Sequence, residues 1–319
     1  MNIPHSSARH YTHLEKRCEG KPNERLSSLS SGLFIRHIYP NVRQEPRMTS
    51  QTSILSKFAH SGRRCALIGM VHLKPLPGSP NWNGSMQEIL DAAQYDADSL
   101  LTHGCDGLIV ENMGDLPYIK GTLAAETVAA MTRATSLVTA FGRPTGVQAL
   151  AGANLDALGI AIASGAQFIR AEAFAYAHVA DEGWIDASAG PLLRRRAALG
   201  IPMEIWADVQ KKHAAHAVTQ DLSLEELCHG TLFCGADAVV ITGARTGTQP
   251  DIAHLSDARA SGAQVVVGSG VTADNVSDYA SLADAVIVGS ALKIDGHWRN
   301  PVDGARVHTL RHALDRACS

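Results

Sequence analysis

The chain has 319 residues, of which 45% are hydrophobic, 18% charged and 5% aromatic. This apolar content supports a large core and excludes wholesale disorder, and the length suits one α/β barrel of ~250 residues with an extension. The formal net charge of −3 gives no bulk attraction to nucleic acid or anionic membranes, so neither is an expected partner.

Residues 1–47 differ in charge from the rest of the chain. They hold eight Lys or Arg residues and four Glu residues, a net charge of +4 that leaves −7 for the remainder. The segment lacks the apolar core of a secretory signal, and no run reaches the ~20 apolar residues of an integral membrane segment. We predict a disordered or weakly ordered extension over residues 1–60 of a cytoplasmic protein. Two alternatives stay open: translation that begins at Met48, and organellar targeting by residues 1–47.

From residue 64 onward the sequence alternates short apolar runs with polar turns and amphipathic stretches. The eight runs are mostly β-branched and nearly continuous, as is typical of parallel strands covered by helices. They are Cys65–Val71, Gly107–Val110, Thr145–Ala149, Phe168–Arg170, Met203–Ala207, Ala238–Ile241, Gln264–Val267 and Ala285–Val288. Capping-box sequences at Ser85–Glu88 and Ser223–Glu226 predict the starts of two intervening helices. Eight such units predict an α/β fold, a single (β/α)8 TIM barrel over residues 61–319.

The first turn between strand and helix argues against the alternative fold, a doubly wound open sheet that binds a nucleotide. Residues 72–78 read His-Leu-Lys-Pro-Leu-Pro-Gly, with prolines and without G-x-G-x-x-G. In a barrel, functional side chains gather where the strands end. The polar or small residues at those positions include His72, Lys74, Glu111, Asn112, Asp115, Gln148, Arg170, Glu172, Asp208, Lys212, His213, Thr242, Gly243, Gly268, Ser269, Gly270, Gly289 and Ser290.

Two glycine-containing loops after the last two predicted strands favour a phosphate site. Small residues let backbone amides approach an anion closely, and these loops are the usual phosphate-binding position in barrels. The alternative is that the glycines only form tight turns. Lys293 either reaches the phosphate or is a solvated surface lysine. The expected substrate- or phosphate-binding residues are Asn112, Asp115, Arg170, Thr242, Gly243, Gly268, Ser269, Gly270, Gly289, Ser290 and Lys293.

Ionisable side chains at the other strand ends suit acid–base catalysis. Asp208 is the expected general base, and Lys212 can stabilise an oxyanion or form an imine. The alternative is that the two residues form an ordinary ion pair in a solvated loop. Glu111 either shares acid and base duties with Asp208 or forms a structural ion pair with Arg170. The predicted catalytic residues are Asp208, Lys212, His213, Glu111 and His72.

The sequence contains no spacing that is a metal signature, so no metal site and no cofactor are predicted. A divalent metal stays an alternative, because four of these side chains are acceptable ligands. They are His72, Glu111, Asp208 and His213. In the loop Thr242–Gly247, Arg245 either contacts a bound anion or belongs to an ordinary mobile loop.

Several segments of the chain resemble the BtpA family. They are Ile68–Pro80, Asp106–Asn112 with Asp115 and Pro117, Gly165–Arg170, Asp208–Ala214 (D-x-x-x-K-H-A), Thr242–Gly247, Val267–Val271 with Asn275, and Ala283–Lys293. The similarity covers roughly residues 64–308 and implies a barrel of the ribulose-phosphate-binding type. The matching positions imply functional roles for His72, Glu111, Asn112, Asp115, Arg170, Asp208, Lys212 and His213. Residues 148–154 depart from the family's usual N-x-L-R-N-D and lose its Arg and Asp.

The strand-end residues and the resemblance support two hypotheses about function. The first is an enzyme, an isomerase, lyase or transferase, that acts on a small phosphorylated metabolite such as a sugar phosphate. The family takes its name from a cyanobacterial factor needed to form or stabilise photosystem I, which implies the second hypothesis, a non-catalytic biogenesis factor. The expected partner is a small phosphorylated ligand, and a homo-oligomer is compatible with the sequence.

Overall fold

The eight predicted apolar runs form the eight strands of a closed parallel barrel. The structure is a computed structural model that describes residues 52–60, 62, 64–243 and 249–319. Its strands are β1 (Ala66–His72), β2 (Gly107–Glu111), β3 (Thr145–Gln148), β4 (Phe168–Ala171), β5 (His178–Ala180), β6 (Gly183–Ile185), β7 (Glu204–Asp208), β8 (Ala214–Ala215), β9 (Ala238–Ile241), β10 (Val265–Gly268) and β11 (Ala285–Val288). The barrel closes in the order β1-β2-β3-β4-β7-β9-β10-β11, which confirms the predicted (β/α)8 barrel.

Among the described residues, one helix precedes the barrel and one helix follows each of its strands. The helices are α1 (Ile54–His60), α2 (Met86–Thr102), α3 (Ala125–Thr139), α4 (Asn154–Ser164), α5 (Ala189–Leu199), α6 (Leu224–Phe233), α7 (Ile252–Ala260), α8 (Val276–Tyr279) and α9 (Gly304–Cys318). None of the helices in the described part of the chain has the length and apolar character that crossing a lipid bilayer requires.

The two predicted capping boxes differ in the structure. At α6 the box is complete, because Ser223 Oγ accepts from the Glu226 amide and Glu226 Oε2 accepts from the Ser223 amide. At α2 the box is only half formed. Ser85 Oγ accepts from the Glu88 amide. The Glu88 carboxylate and the Ser85 amide do not bond to each other but both bond to Asn83, whose Nδ2 donates to the carboxylate and whose Oδ1 accepts from the amide. The nearby asparagine therefore replaces the predicted reciprocal bond.

A cluster of large side chains fills the inside of the barrel. Phe168 and Trp206 stack with ring centroids 3.9 Å apart, and Ile54 and Phe58 of α1 belong to the same buried cluster. The backbone amide of Ile54 donates to Glu204 Oε1 at 2.7 Å, which attaches α1 to the amino-terminal end of the barrel. The sequence pattern predicts an extension that continues to residue 60, whereas the structure shows a helix there that packs on the core.

The carboxyl-terminal end of the barrel carries a small second sheet. Strands β5 and β6 form an antiparallel hairpin after β4, and β8 adds to it after β7 in the order β6-β5-β8. The hairpin turn at residues 181–182 lines the cavity described below. The sequence does not predict this sheet, because its strands have only two or three residues, too few for a period to be recognised.

Candidate active site

A cavity of about 800 Å3 opens at the carboxyl-terminal mouth of the barrel. Its floor is formed by side chains from the ends of the first four barrel strands, His72, Glu111, Gln148 and Arg170, with Glu172 just beyond. One wall is the pair of loops after β10 and β11, and the rim includes Trp298. The cavity therefore lies where the barrel rule predicts the functional site.

His72 and Glu111 face each other across the β1–β2 pair, in which they are register partners. His72 Nε2 lies 3.5 Å from Glu111 Oε2, and both side chains are buried. Burial, together with the charges of Lys293 and Lys212, lowers the pKa of His72 to about 3, so its imidazole is neutral. Burial raises the pKa of Glu111 to about 7 against the attraction of Arg170 and Lys212. Glu111 is thus a carboxyl group that changes charge near neutral pH, and burial also raises the pKa of the neighbouring Glu172.

Asp208 is bound on both oxygens by Arg170. Arg170 Nε donates to Oδ2 at 3.0 Å and Nη2 donates to Oδ1 at 2.8 Å, and both side chains are buried. Such a bidentate pair holds a carboxylate in a fixed orientation, and Asp208 does not line the cavity. Two expectations therefore need correction: Asp208 is not placed as the general base, and Arg170 pairs with Asp208 rather than with Glu111.

Lys212 and His213 follow β7 and line the cavity. No carboxylate of the described residues lies within salt-bridge distance of the Lys212 ammonium. Burial, and then the neighbouring Arg170, lowers the pKa of Lys212. His213 is exposed at the cavity edge with a φ of 54°, a left-handed conformation that few non-glycine residues adopt. The structure therefore brings Lys212 to the floor of the cavity and His213 to its edge.

The two glycine-containing loops meet along one wall. Ser269 and Gly270 follow β10, and Gly289 and Ser290 follow β11. A methyl group added at Gly289 would lie 2.8 Å from His72 Cε1, so only glycine lets this loop pass the imidazole. Gly289 therefore brings the wall into contact with the catalytic candidates.

Three predicted phosphate-binding residues do not reach this wall. Gly268, the last residue of β10, is buried and faces Arg170, whose Nη2 would lie 3.2 Å from an added methyl group. Thr242 Oγ1 donates to the Gln210 carbonyl at 3.2 Å, and neither Thr242 nor Gly243 lines the cavity. The prediction for Arg245 lies outside the described residues.

Asn112 and Asp115 brace loops instead of facing the cavity. Asn112 Nδ2 donates to Asp115 Oδ2 at 3.0 Å, and Asn112 Oδ1 accepts from the Leu150 amide at 2.9 Å. Asp115 Oδ1 accepts from the Leu76 amide at 2.8 Å. These bonds join the loops that follow β1, β2 and β3. Their predicted role in ligand binding is therefore corrected to support of the loops around the site.

Lys293 has neither of the two roles that the sequence suggests, a phosphate ligand or a solvated surface lysine. Its side chain is 1% exposed, and its ammonium forms an ion pair with Asp96 of α2. Asp96 Oδ1 also accepts from the Val302 amide at 2.9 Å. Lys293 is therefore neither a phosphate ligand nor a solvated lysine, because its ammonium is buried in an ion pair with Asp96 behind the loop that follows β11.

The alternative metal set is not assembled by the fold. Within the described residues, no group of three or more His, Cys, Asp or Glu side chains is arranged to hold a metal ion. Of the four proposed ligands, Asp208 is engaged by Arg170, and only His72 and Glu111 lie side by side.

Four further side chains belong to the site without a role predicted from the sequence. Gln148 and Glu172 stand at strand ends, and Gln148 Nε2 donates to Glu172 Oε1 at 3.4 Å. Lys211 Nζ lies 2.7 Å from Glu182 Oε2 in the β5–β6 hairpin and 3.7 Å from Glu172 Oε2. The strand-end rule could have assigned roles to Gln148 and Glu172. The Lys211–Glu182 pair depends on the hairpin, which no sequence signal indicates.

Solved structures with the same architecture include proteins named as enzymes. Tryptophan synthase from M. tuberculosis, in its aminoacrylate-bound form, matches with a TM-score of 0.52 at 19% identity, covering 82% of this chain and 100% of that chain. Thiamine phosphate pyrophosphorylase from Pyrococcus furiosus matches with a TM-score of 0.50 at 14% identity, covering 81% and 98%. At these identities the similarity establishes the fold alone, a closed (β/α)8 barrel.

Relatives by sequence are more informative about family. An uncharacterized mitochondrial protein of Caenorhabditis elegans is 39% identical over 265 residues, 81% of this chain and 95% of its own length. The photosystem I biogenesis protein BtpA of Synechocystis is 36% identical over 255 residues, 78% of this chain and 87% of its own. The BtpA family model matches residues 63–316. The chain therefore belongs to the BtpA family.

Proposed function

We propose that this chain is an enzyme that transfers a proton to or from a small phosphorylated metabolite, a sugar phosphate, bound in the cavity at the barrel mouth. The observation that carries this proposal is Glu111, a buried carboxyl group that lines the cavity and has a pKa of about 7. An acid–base catalyst works best when its pKa lies close to the working pH. Glu111 meets that condition near neutral pH.

The neighbours of Glu111 suit the same chemistry. The neutral imidazole of His72, 3.5 Å from Glu111 Oε2, can orient the carboxyl group or the substrate through a hydrogen bond. The Lys212 ammonium can stabilise negative charge that develops on a substrate oxygen. The Arg170–Asp208 pair lies beside them as a fixed, neutral unit. We therefore assign proton transfer to Glu111, charge stabilisation to Lys212 and positioning to His72.

The phosphate of the substrate is assigned to the wall formed by Ser269, Gly270, Gly289 and Ser290. These residues line the cavity, and small side chains let an anion approach backbone amides. The name of one neighbour in fold, thiamine phosphate pyrophosphorylase, includes a phosphate ester and supports this assignment. That name describes the other protein, and a phosphate ester is assigned to this chain only as part of the proposal.

Solvent deuterium exchange tests the proposal even though the net reaction is unspecified. The protein is incubated in D2O with aldose and ketose phosphates of three to six carbons, and deuterium bound to carbon is measured by mass spectrometry. We expect at least one substrate to incorporate deuterium, and Glu111→Gln to slow incorporation by about 10²-fold or more. The matched control is Glu126→Gln, whose side chain is exposed on α3 and should retain the wild-type rate. The proposal fails if no phosphate ester raises the melting temperature and no deuterium is incorporated.

A second candidate function is a biogenesis factor for a protein complex, favoured by the name of the Synechocystis relative. This role needs the surface and fold of the barrel but not its proton chemistry. Complementation of a strain that lacks the gene separates the two functions. A scaffold predicts that Glu111→Gln restores growth as well as wild type, whereas an enzyme predicts that it does not.

We also propose that the protein acts in the cytoplasm, and the alternative is that it acts in an organelle. The name of the Caenorhabditis elegans relative, which includes the word mitochondrial, favours the alternative. Fluorescent fusions of the whole chain and of a chain that starts at Met48 distinguish them. Cytoplasmic fluorescence from both supports the proposal, and organellar fluorescence from the longer fusion alone supports targeting by residues 1–47.

A further inference from the structure

Two buried oxygen atoms in the cavity accept no hydrogen bond from the described residues. Gln148 at the end of β3 is 2% exposed and Glu172 after β4 is 6% exposed, and both line the cavity. The two oxygens are Gln148 Oε1 and Glu172 Oε2, which have no hydrogen-bond donor among the described residues. Buried acceptors are normally satisfied, because leaving one without a donor is costly. The two oxygens are therefore suited to donors brought by a ligand.

The two acceptors are held in place by their surroundings. Gln148 Nε2 donates to Glu172 Oε1 at 3.4 Å, which turns Gln148 Oε1 away from Glu172. Lys211 Nζ lies 3.7 Å from Glu172 Oε2 and 2.7 Å from Glu182 Oε2, so the hairpin residue Glu182 takes the shorter contact with the ammonium. A fixed pair of acceptors in a cavity recognises donors at defined positions.

The local charge favours neutral donors over a cation. Apart from Glu111, the described residues of this part of the site include three cationic side chains, Arg170, Lys211 and Lys212, and four acidic ones, Glu172, Asp181, Glu182 and Asp208. An ammonium group on the ligand would meet these three cations, and three of the carboxylates are already paired with Arg170 or Lys211, so it would gain little net attraction. Hydroxyl groups supply donors without adding charge.

The acceptors lie across the barrel from the glycine-containing loops. In the barrel order, β3 is four strands from β10 and β4 is four strands from β11, which places them on opposite sides. A barrel of eight strands spaced ~4.8 Å apart and tilted ~36° has a diameter of about 15 Å. A ligand that contacts both sides must carry its hydroxyl groups several carbon atoms away from its phosphate.

We propose that Gln148 and Glu172 form a hydroxyl-binding subsite, so that the substrate is a phosphate ester of a polyhydroxylated chain and not an alkyl or aromatic phosphate. This inference rests on the proposed function for the position of the phosphate, but the subsite itself is defined by its own two acceptors. Gln148 and Glu172 are then specificity-determining residues that hold the end of the substrate opposite the phosphate.

Calorimetric titration of the whole chain tests the subsite with probes that differ in their hydroxyl groups. The probes are D-ribose 5-phosphate, D-fructose 6-phosphate and D-glucose 6-phosphate, with n-pentyl phosphate and inorganic phosphate for comparison. We expect the tightest sugar phosphate to bind at least about tenfold more strongly than n-pentyl phosphate, since a site with unpaired polar groups rejects analogues that lack the donor. Gln148→Leu and Glu172→Gln should each reduce this preference severalfold and leave the affinity for inorganic phosphate unchanged.

Gln87→Leu is the matched control, because Gln87 is exposed on α2 and lies outside the cavity. It should keep the wild-type preference. The subsite is refuted if n-pentyl phosphate binds wild type as tightly as every sugar phosphate, or if both cavity variants fold and keep the preference. If no phosphate ester binds, ribitol is compared with 1-pentanol at high concentration. If wild type prefers ribitol and both variants lose that preference, the subsite is supported although the proposed function fails. If wild type binds ribitol and 1-pentanol equally, the subsite is refuted as well.

Discussion

Replacement of Glu111 by glutamine should change how the stability of the protein depends on pH. The pKa of Glu111 rises from 4.5 to about 7 on folding, chiefly through burial. The folded protein therefore binds this proton more tightly than the unfolded chain does, and the free energy of unfolding falls as the pH rises from about 4.5 to about 7. A pKa difference of this size corresponds to a loss of about 3 kcal/mol. Glutamine carries no such proton, so the variant should lack this loss.

Urea unfolding measured from pH 4.5 to pH 9 gives the required comparison. The quantity followed with pH is the difference in the free energy of unfolding between the variant and wild type. Any effect of the new amide that is independent of pH adds a constant to this difference and leaves its pH dependence unchanged. We expect this difference to shift in favour of Glu111→Gln by about 3 kcal/mol between pH 4.5 and pH 8 and then to level off. The exposed control Glu126→Gln should run parallel to wild type. A Glu111→Gln curve that is also parallel to wild type would refute a raised pKa and, with it, the assignment of proton transfer to Glu111.

Two further substitutions test the packing of the site. Arg170→Met should lower the free energy of unfolding by about 3–5 kcal/mol, because it leaves Asp208 buried without its partner. In urea titrations, the double variant Arg170→Met with Asp208→Leu should recover most of that loss. An equal loss in the single and double variants would contradict this explanation. Gly289→Ala should cost about 1–3 kcal/mol, because its methyl group would lie 2.8 Å from His72 Cε1. The matched control Gly159→Ala, on the exposed face of α4 with no atom within 4 Å, should instead gain up to about 1 kcal/mol; similar melting temperatures for the two alanine variants would argue against the close contact.

The fold was predictable because parallel barrel strands are buried on both faces and so appear as continuous apolar runs. Strands β2 and β11, for example, begin at the residues predicted from the sequence and end within one residue of the prediction. The location of the candidate site follows from the same pattern, because functional side chains of a barrel lie where the strands end. His72, Glu111 and Lys212 could therefore be selected without a structure.

The partners of these side chains were not predictable, since they come from elements distant in sequence. Lys293 pairs with Asp96, which is 197 positions away on α2, and no local pattern links the two. The position of Asn112 after a strand predicts a ligand, yet its amide joins the loops after β2 and β3, whose approach depends on the complete barrel. A strand-end rule finds polar residues but does not distinguish those that face the cavity from those that support it.

The pair of carboxylates Glu111 and Asp208 illustrates what that distinction decides. Both follow apolar strands, and the sequence supports each as the group that moves a proton. In the structure, Asp208 accepts two hydrogen bonds from Arg170, which occupy both of its oxygens, and it does not line the cavity. Glu111 faces a neutral imidazole instead, and its burial has no bidentate partner to offset it. Because Arg170 occupies both oxygens of Asp208 while Glu111 lines the cavity with a raised pKa, the proposed acid–base role belongs to Glu111.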